Sequence, residues 1–433
     1  MSDQRAVNEH YLDRLVEAAQ TRRVEATEDI LSGSGVKLVA KGSQIDARTR
    51  DRLLQHKLHR PLEACTRVTG GVASLPMDEV AGQLIKRHAL LSSLCDAGRA
   101  TAIETAFSEL RLSSPLESLL TLYADQGPHK LEHAIGVSLV AAALMLEVAP
   151  AVPLASLLTA GLMHDIGELY IDPTMLARGS LITVDQWKHI AVHPVAAASL
   201  LAELPGGGPA VALPVLQHHE RLDGFGYPSG LRQGQISLPG QVLALAEMLT
   251  GVIESGRNPA QHVAVMLKLM GAEFDRRLLD HVSRASKTCT SPEDAEEPAP
   301  ADSLLPQAAT LSDQLEALQR VHAQMTLTRP VRSPALDELL AKLLERHERL
   351  TQTLSSAGLN PGLAASIGDH LGPLSAPMRH EMSVVLRELQ WRLRELHRQL
   401  LWRAERLEGA ERERLRAVVA QILEPVLTPP ARA

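Results

Sequence analysis

Apolar residues recur every three or four positions over most of this chain, a spacing that predicts helices. The pattern holds from Asp78 to about Val282, broken by turns at Gly206-Gly207-Gly208 and Gly226-Tyr227-Pro228. Within it, residues 134–163 carry a single charged side chain, Glu147. Such a run is long enough to suggest a membrane span. Pro150 and Pro153 divide it, however, and it leads directly into the polar pair His164-Asp165. Two buried helices of a helical domain, and no membrane span, are expected.

The first 77 residues read differently. Val24–Ala26 and Val36–Ala40 have the look of short strands around Ser32-Gly33-Ser34-Gly35, and Lys41-Gly42 marks a further turn. Asp46 then reads as the N-cap of a helix running through Leu53, Leu54 and Leu58. Residues 1–77 are therefore expected to form a small α+β module, 78–115 connecting helices, and 116–285 an all-helical domain. Residues 286–311 include Ser-Pro-Glu-Asp-Ala-Glu-Glu-Pro-Ala-Pro, which has no large apolar side chain with which to build a core. A disordered acidic linker is expected there, and a helical region over 312–433. Ser333-Pro334 makes a helix start. Leu336, Leu339, Leu340, Leu343 and Leu344 form one apolar face beyond it. Met382, Leu386, Leu389, Leu393, Leu396 and Leu400 alternate steps of four and three, as in an a/d seam. That seam predicts either dimerisation, or contact with a signalling partner, or packing inside the chain's own bundle.

Composition sharpens the fold class. Among 433 residues 45% are hydrophobic but only 2% aromatic, so the cores must be built from Leu, Ala and Val. That favours a mainly α protein. A net charge of −7 argues against DNA as a partner, which requires basic surface, but leaves room for a small phosphorylated ligand. Cys65, Cys95 and Cys289 show no paired spacing, and residues 1–28 lack an apolar targeting core. Both point to a cytoplasmic protein.

His164-Asp165, and the later run His218-His219-Glu220, are poor choices inside apolar helices unless something satisfies them. A metal ion does so, since imidazole and carboxylate are common ligands of Fe, Mn and Zn-type ions. The candidate ligands are His133, His164, Asp165, His193, His218, His219 and Glu247, each in or beside an amphipathic helical segment. Such helices can aim their side chains at one centre. Adjacent residues on a helix point about 100° apart, so His218 and His219 could serve different ions, and Asp165 has two oxygens with which to bridge. The number of ligands favours two metals. His129, one turn before His133, is either an extra ligand or a surface histidine. Most of the other histidines, such as His10, His262 and His397, read as solvated or core residues.

Together these residues resemble the HD-GYP subclass of the HD phosphohydrolase superfamily. The resemblance covers roughly residues 116–285. It rests on His133, His164-Asp165-Ile166-Gly167, Leu176 with Gly179-Ser180-Leu181-Ile182-Thr183, and His193-Pro194. It continues through His218-His219-Glu220, Asp223-Gly224-Phe225-Gly226-Tyr227-Pro228 and Gly271-Ala272-Glu273-Phe274-Asp275. It implies an all-helical domain with two or three divalent ions, Fe or Mn. It also implies hydrolysis of cyclic di-GMP to pGpG or GMP, through a metal-acidified water attacking in line. Asp165 and Glu168 then take catalytic positions, while Asp223, Gly224, Gly226, Tyr227, Pro228 and Arg257 line the substrate. Four positions depart from the family pattern. Glu168 replaces the usual lysine, a reversal of charge expected to weaken anion binding and to be relieved by Glu168→Lys. Glu247 replaces aspartate, Gln241 stands where arginine is common, and a basic, aromatic run is reduced to Arg257-Asn258-Pro259-Ala260. The resemblance therefore also admits two other readings: a degenerate domain that acts through protein contacts, and a hydrolase of another phosphate ester.

Overall fold

A computed structural model describes residues 5–72, 75–176, 183–255, 259–289, 301–327, 332–357, 359 and 375–423. It is mainly α-helical and divides into two compact units, Met1–Ser255 with Ala272–Thr290, and Gly256–Gly271 with Ser291–Ala433.

The first unit begins with the α+β module. Its strands pair antiparallel: Arg5–Ala6 with Lys57–Leu58, Val24–Ala26 with Thr66–Val68, and Ile30–Leu31 with Lys37–Val39. Two-stranded ribbons this short are not stable alone. They are held by the Ser114–Ala124 helix, whose Ser118 and Thr121 hydroxyls accept the Val68 and Val72 N–H groups at 3.0 and 3.2 Å. Asp46 caps its helix as expected, accepting from Arg48 and Thr49 N–H. That helix stops at Leu54, and Leu58 lies in a strand instead. An apolar residue one turn beyond a helix is equally at home on a buried strand face, and sequence spacing does not separate the two.

Three helices form the centre of this unit. Lys130–Val148 packs against Ala155–Met163 and Leu238–Glu254, with Pro209–Gln217 and His193–Leu201 completing the layer. Gly161 permits the first of these contacts, since a Cβ there would come within 2.6 Å of the Ser138 Cα. The Ser138 hydroxyl, buried at this crossing, donates to the Ala134 and Leu158 carbonyls. Lys130–Val148 is the apolar stretch that resembled a membrane span. It is long and apolar enough to cross a bilayer, yet 67% of its apolar window is buried within the protein.

The second unit is a helical bundle of Ala301–Leu327, Pro334–Ser356, Ala376–Ala404 and Gly409–Ile422. Ser333 caps its helix as predicted, accepting from the Leu336 N–H. Met382, Leu386, Leu389, Leu393, Leu396 and Leu400 are all buried within this unit, so the predicted seam is the bundle's own core. The expected linker is shorter than residues 286–311. One helix runs on to Thr288 and another starts at Ala301, carrying Pro306 inside it; residues 290–300 lie outside the described set. The Ala308, Leu311 and Leu315 side chains are buried, which accounts for helix over the last part of the expected linker, residues 301–311. The Pro259–Leu269 helix also belongs to this unit, through His262 and Glu388 at 3.5 Å and Lys268 and Glu381 at 3.1 Å.

Candidate metal centre

The first unit brings five histidines and two carboxylates to one place, with the His164-Asp165 pair at the centre. His164 ends the Ala155–Met163 helix, and Asp165 begins the tight 3-10 turn Ile166–Tyr170. One group comprises His133, His164 and Glu247; the other Asp165, His193, His218 and His219, with donor atoms in each group within 4.8 Å of one another. Asp165 joins them. Its Oδ2 is 3.3 Å from His164 Nε2, and its Oδ1 is 3.2 Å from His193 Nε2 and 3.7 Å from His218 Nε2.

Backbone geometry fixes which nitrogen each imidazole presents. The Nδ1 atoms of His164, His193 and His218 face the carbonyls of Gly161, Ile190 and Val215 at 2.7, 2.8 and 2.6 Å. A carbonyl only accepts, so each Nδ1 carries the hydrogen and each Nε2 lone pair points into the centre. His133 obeys the same rule with a carboxylate: Nδ1 faces Glu254 at 3.0 Å, leaving Nε2 3.2 Å from Glu247. Glu254 was not identified from sequence. Its signal is a spacing of seven from Glu247, which puts both carboxylates on one face of the Leu238–Glu254 helix.

This donor set fits a divalent cation. His193 Nε2 and His218 Nε2 approach to 3.3 Å, and His164 Nε2 and Glu247 Oε2 to 3.1 Å. The latter two atoms are buried without a hydrogen-bond partner among the described residues. Donors about 2.0–2.1 Å from an ion stand roughly 3 Å from each other, so this crowding is that of ligands around a shared centre. Charge agrees. Burial pushes the Asp165 and Glu247 carboxyls up, but the surrounding histidines outweigh it and hold both well below the usual range. Burial drives His218 and His219 down, which keeps them neutral and able to ligate. Burial opposes charge on His133, His164 and His193 too, but there the Asp165 and Glu247 carboxylates outweigh it and push them up, so a cation binding there would release their protons.

The other predicted site residues fall into three classes. His129 is exposed at the start of the Lys130–Val148 helix and joins neither ligand group, because its position precedes the first inward-facing turn. Asp223, Gly224, Gly226 and Tyr227, read from sequence as lining the substrate, contact their own loop. Asp223 accepts the Phe225 N–H at 2.9 Å, Gly224 has φ +76°, and a Cβ on Gly226 would come within 2.3 Å of the Glu220 and Arg221 backbone. Glu220 is the loop's anchor, accepting from the Ser229, Gly230 and Leu231 N–H groups. Tyr227 is 6% exposed and stacks on His219 at 4.5 Å, so the loop supports a ligand. Pro228 follows it, partly exposed. Gln241 donates to the Ile236 carbonyl. Arg257 and residues 179–182 lie outside the described residues.

Glu168 lies in the 3-10 turn, where it forms an ion pair with Lys130. Burial and Asp165 push its carboxyl up, while Lys130 opposes them. Lys130 also reaches Tyr123 Oη at 3.5 Å, and the Tyr123 O–H donates to Asp165 Oδ2 at 3.2 Å. The turn is held from outside as well. Tyr170 stacks on Tyr11 at 5.2 Å and donates to Glu63 at 2.5 Å, so the N-terminal module grips the segment that follows Asp165.

Comparison with known proteins agrees with this geometry. Residues 118–278 match the family model of the HD domain. A cyclic di-GMP phosphodiesterase of Pseudomonas aeruginosa is 31% identical over 51% of this chain and 53% of its own length. A 3'3'-cGAMP-specific phosphodiesterase of Vibrio cholerae is 24% identical over 53% of this chain and 54% of its own. A cyclic di-GMP phosphodiesterase response regulator of Xanthomonas campestris is 29% identical over 28% and 34%. The chain thus spans about half, or less, of the length of these relatives. An HD-GYP-type protein of Bdellovibrio bacteriovorus, 12% identical, aligns with 63% of this chain and 97% of its own at a TM-score of 0.33. Residues 118–278 are thus similar to the HD domain family, and they carry His-Asp and Gly-Tyr-Pro motifs at Asp165 and Tyr227.

Proposed function

We propose that this HD domain is a metal-dependent phosphodiesterase that hydrolyses cyclic di-GMP to pGpG, and onward to GMP, in bacterial signalling. The observation that carries the reading is the position of Asp165, with one oxygen toward His164 and the other toward His193 and His218. A carboxylate so placed would be able to hold two ions. His133, His164 and Glu247 would complete one site, and His193, His218 and His219 the other. Mixed imidazole and carboxylate ligation suits iron or manganese. When bound, such ions supply Lewis acidity toward a phosphoryl oxygen and lower the pKa of water.

The protein's own residues do the rest. Carbonyl-held Nδ1 atoms fix the imidazole planes, and Tyr123 orients Asp165 from behind. The buried Gly-Tyr-Pro loop, resting on His219 through Tyr227, walls one side. The relatives' activities support a cyclic dinucleotide as substrate. The proposed place of action is the cytoplasm. With its apolar seam buried, the C-terminal bundle would meet a second copy or a signalling protein through its outer faces.

The test is product analysis on metal-loaded protein given cyclic di-GMP and 3'3'-cGAMP separately. Linear product from cyclic di-GMP supports the proposal. Product from 3'3'-cGAMP alone would reassign the substrate. Bound metal with no product from either would favour a regulatory domain.

A further inference from the structure

Lys130 occupies the first position of the Lys130–Val148 helix. A cation there opposes the positive end of the helix dipole, so the position itself does not favour lysine. The side chain is nonetheless drawn to the metal centre. It forms the ion pair with Glu168, lies over the Tyr123 ring at 4.8 Å, and stands 3.5 Å from Tyr123 Oη. Through the Tyr123 O–H it is two hydrogen bonds from Asp165 Oδ2. The Lys130 and Glu168 side chains are 33% and 18% exposed, and that of Asp165 is 12%. The pair therefore sits at the accessible rim of the ligand group rather than in the core.

We infer that Lys130 is the cation that receives the substrate's phosphate, and that Glu168 holds it in place until the phosphate displaces the carboxylate. The inference rests on the proposed function for the presence of a phosphate, and not for its turnover. Lysine can make this exchange because its ammonium is a point charge on a flexible stem, free to swing from one oxygen anion to another. Glu168 opposes the ligand in two ways: it occupies the ammonium, and it adds negative charge beside Asp165. The charge reversal at 168 thus has a counterpart at 130. Glu168→Lys would place a second ammonium against Lys130 and remove the carboxylate it pairs with, so it is expected to impair the site rather than improve it.

The experiment is calorimetric titration of inorganic phosphate into the manganese-loaded full chain, with metal content measured for every variant. Glu168→Gln frees the ammonium and should tighten phosphate about threefold to tenfold. Adding Lys130→Gln to it should weaken phosphate about tenfold or more relative to Glu168→Gln alone. Lys130→Arg should stay near wild type, and Lys130→Met should not. These variants should keep their metal, because neither residue is a ligand. Affinities of Glu168→Gln, of the double variant and of Lys130→Met that all stay within twofold of wild type would overturn the inference. So would loss of metal in Lys130→Met with phosphate affinity restored by added manganese, which would make the pair a structural support. Cyclic di-GMP turnover by the wild type is read separately. Its absence, with phosphate affinities in the expected order, would remove the substrate assignment and leave Lys130's role standing.

Discussion

Charged side chains are buried in both units of this protein, with opposite arrangements. In the C-terminal bundle the buried Glu388 carboxylate lies 2.6 Å from Arg392 and 3.5 Å from His262. Glu411 accepts from the Ser333 N–H and hydroxyl at 2.9 and 2.5 Å. Each acid there has a donor of its own. In the first unit, lone pairs from five helices and a turn converge, and the closest neighbours of acceptors are other acceptors. The first arrangement pairs these two acids with donors from the chain itself and serves stability. The second requires a cation from outside the chain, and that requirement distinguishes a site from a core.

The comparison predicts that removing charge has different consequences in the two regions. His164→Ala with Asp165→Ala should remove most bound metal and lower hydrolysis about a hundredfold or more, while the bundle's unfolding is unchanged; metal analysis beside an activity assay checks this. Glu388→Ala should do the reverse. Removing the carboxylate beside buried Arg392 costs about 3 kcal/mol, read as an earlier denaturation midpoint with metal content intact. Gly226→Ala tests the loop that ties the two motifs together. Its Cβ would collide with the Glu220 and Arg221 backbone, so a loss of about 1–3 kcal/mol is expected in thermal unfolding, with activity falling as His219 loses Tyr227. Glu254→Gln should weaken metal binding about tenfold without abolishing it, because it removes the acceptor that orients His133.

The smallest effect concerns pH. Burial raises the Glu388 carboxyl, but Arg392 and His262 outweigh it and hold it below its ordinary value of 4.5. Its contribution to stability is therefore fully present above about pH 4.5 and disappears as pH falls through the lowered value. Acid denaturation of the wild type and Glu388→Gln should converge at low pH and separate above it. Parallel curves would show that the ion pair does not couple to folding.

The residues legible in the sequence were those whose chemistry conflicts with their surroundings. His164-Asp165, His193, His218 and His219 are polar intruders in apolar helices, so the ligand sets could be assembled without knowing the fold. Residues that act on them from a distance left no such trace. Lys130, Glu254 and Glu63 carry no motif, and only tertiary contact brings them to Glu168, His133 and Tyr170. His129, open in the sequence between extra ligand and surface histidine, lies exposed outside both groups, because one helical turn of spacing does not say where a helix begins. Strands of two or three residues have too little sequence for alternation to register, which is why the Arg5–Ala6 and Lys57–Leu58 pairing was not visible. Nor does chain order show that Pro259–Leu269 belongs to the C-terminal bundle, since its apolar face would suit either unit.

The most direct test is metal analysis of anaerobically purified protein, wild type and Asp165→Ala, followed at once by cyclic di-GMP hydrolysis on the same samples. The account predicts two or more divalent ions per chain with linear product in the wild type, and loss of both in Asp165→Ala. One ion or fewer in the wild type, or metal content that Asp165→Ala leaves unchanged, would contradict a bridged centre.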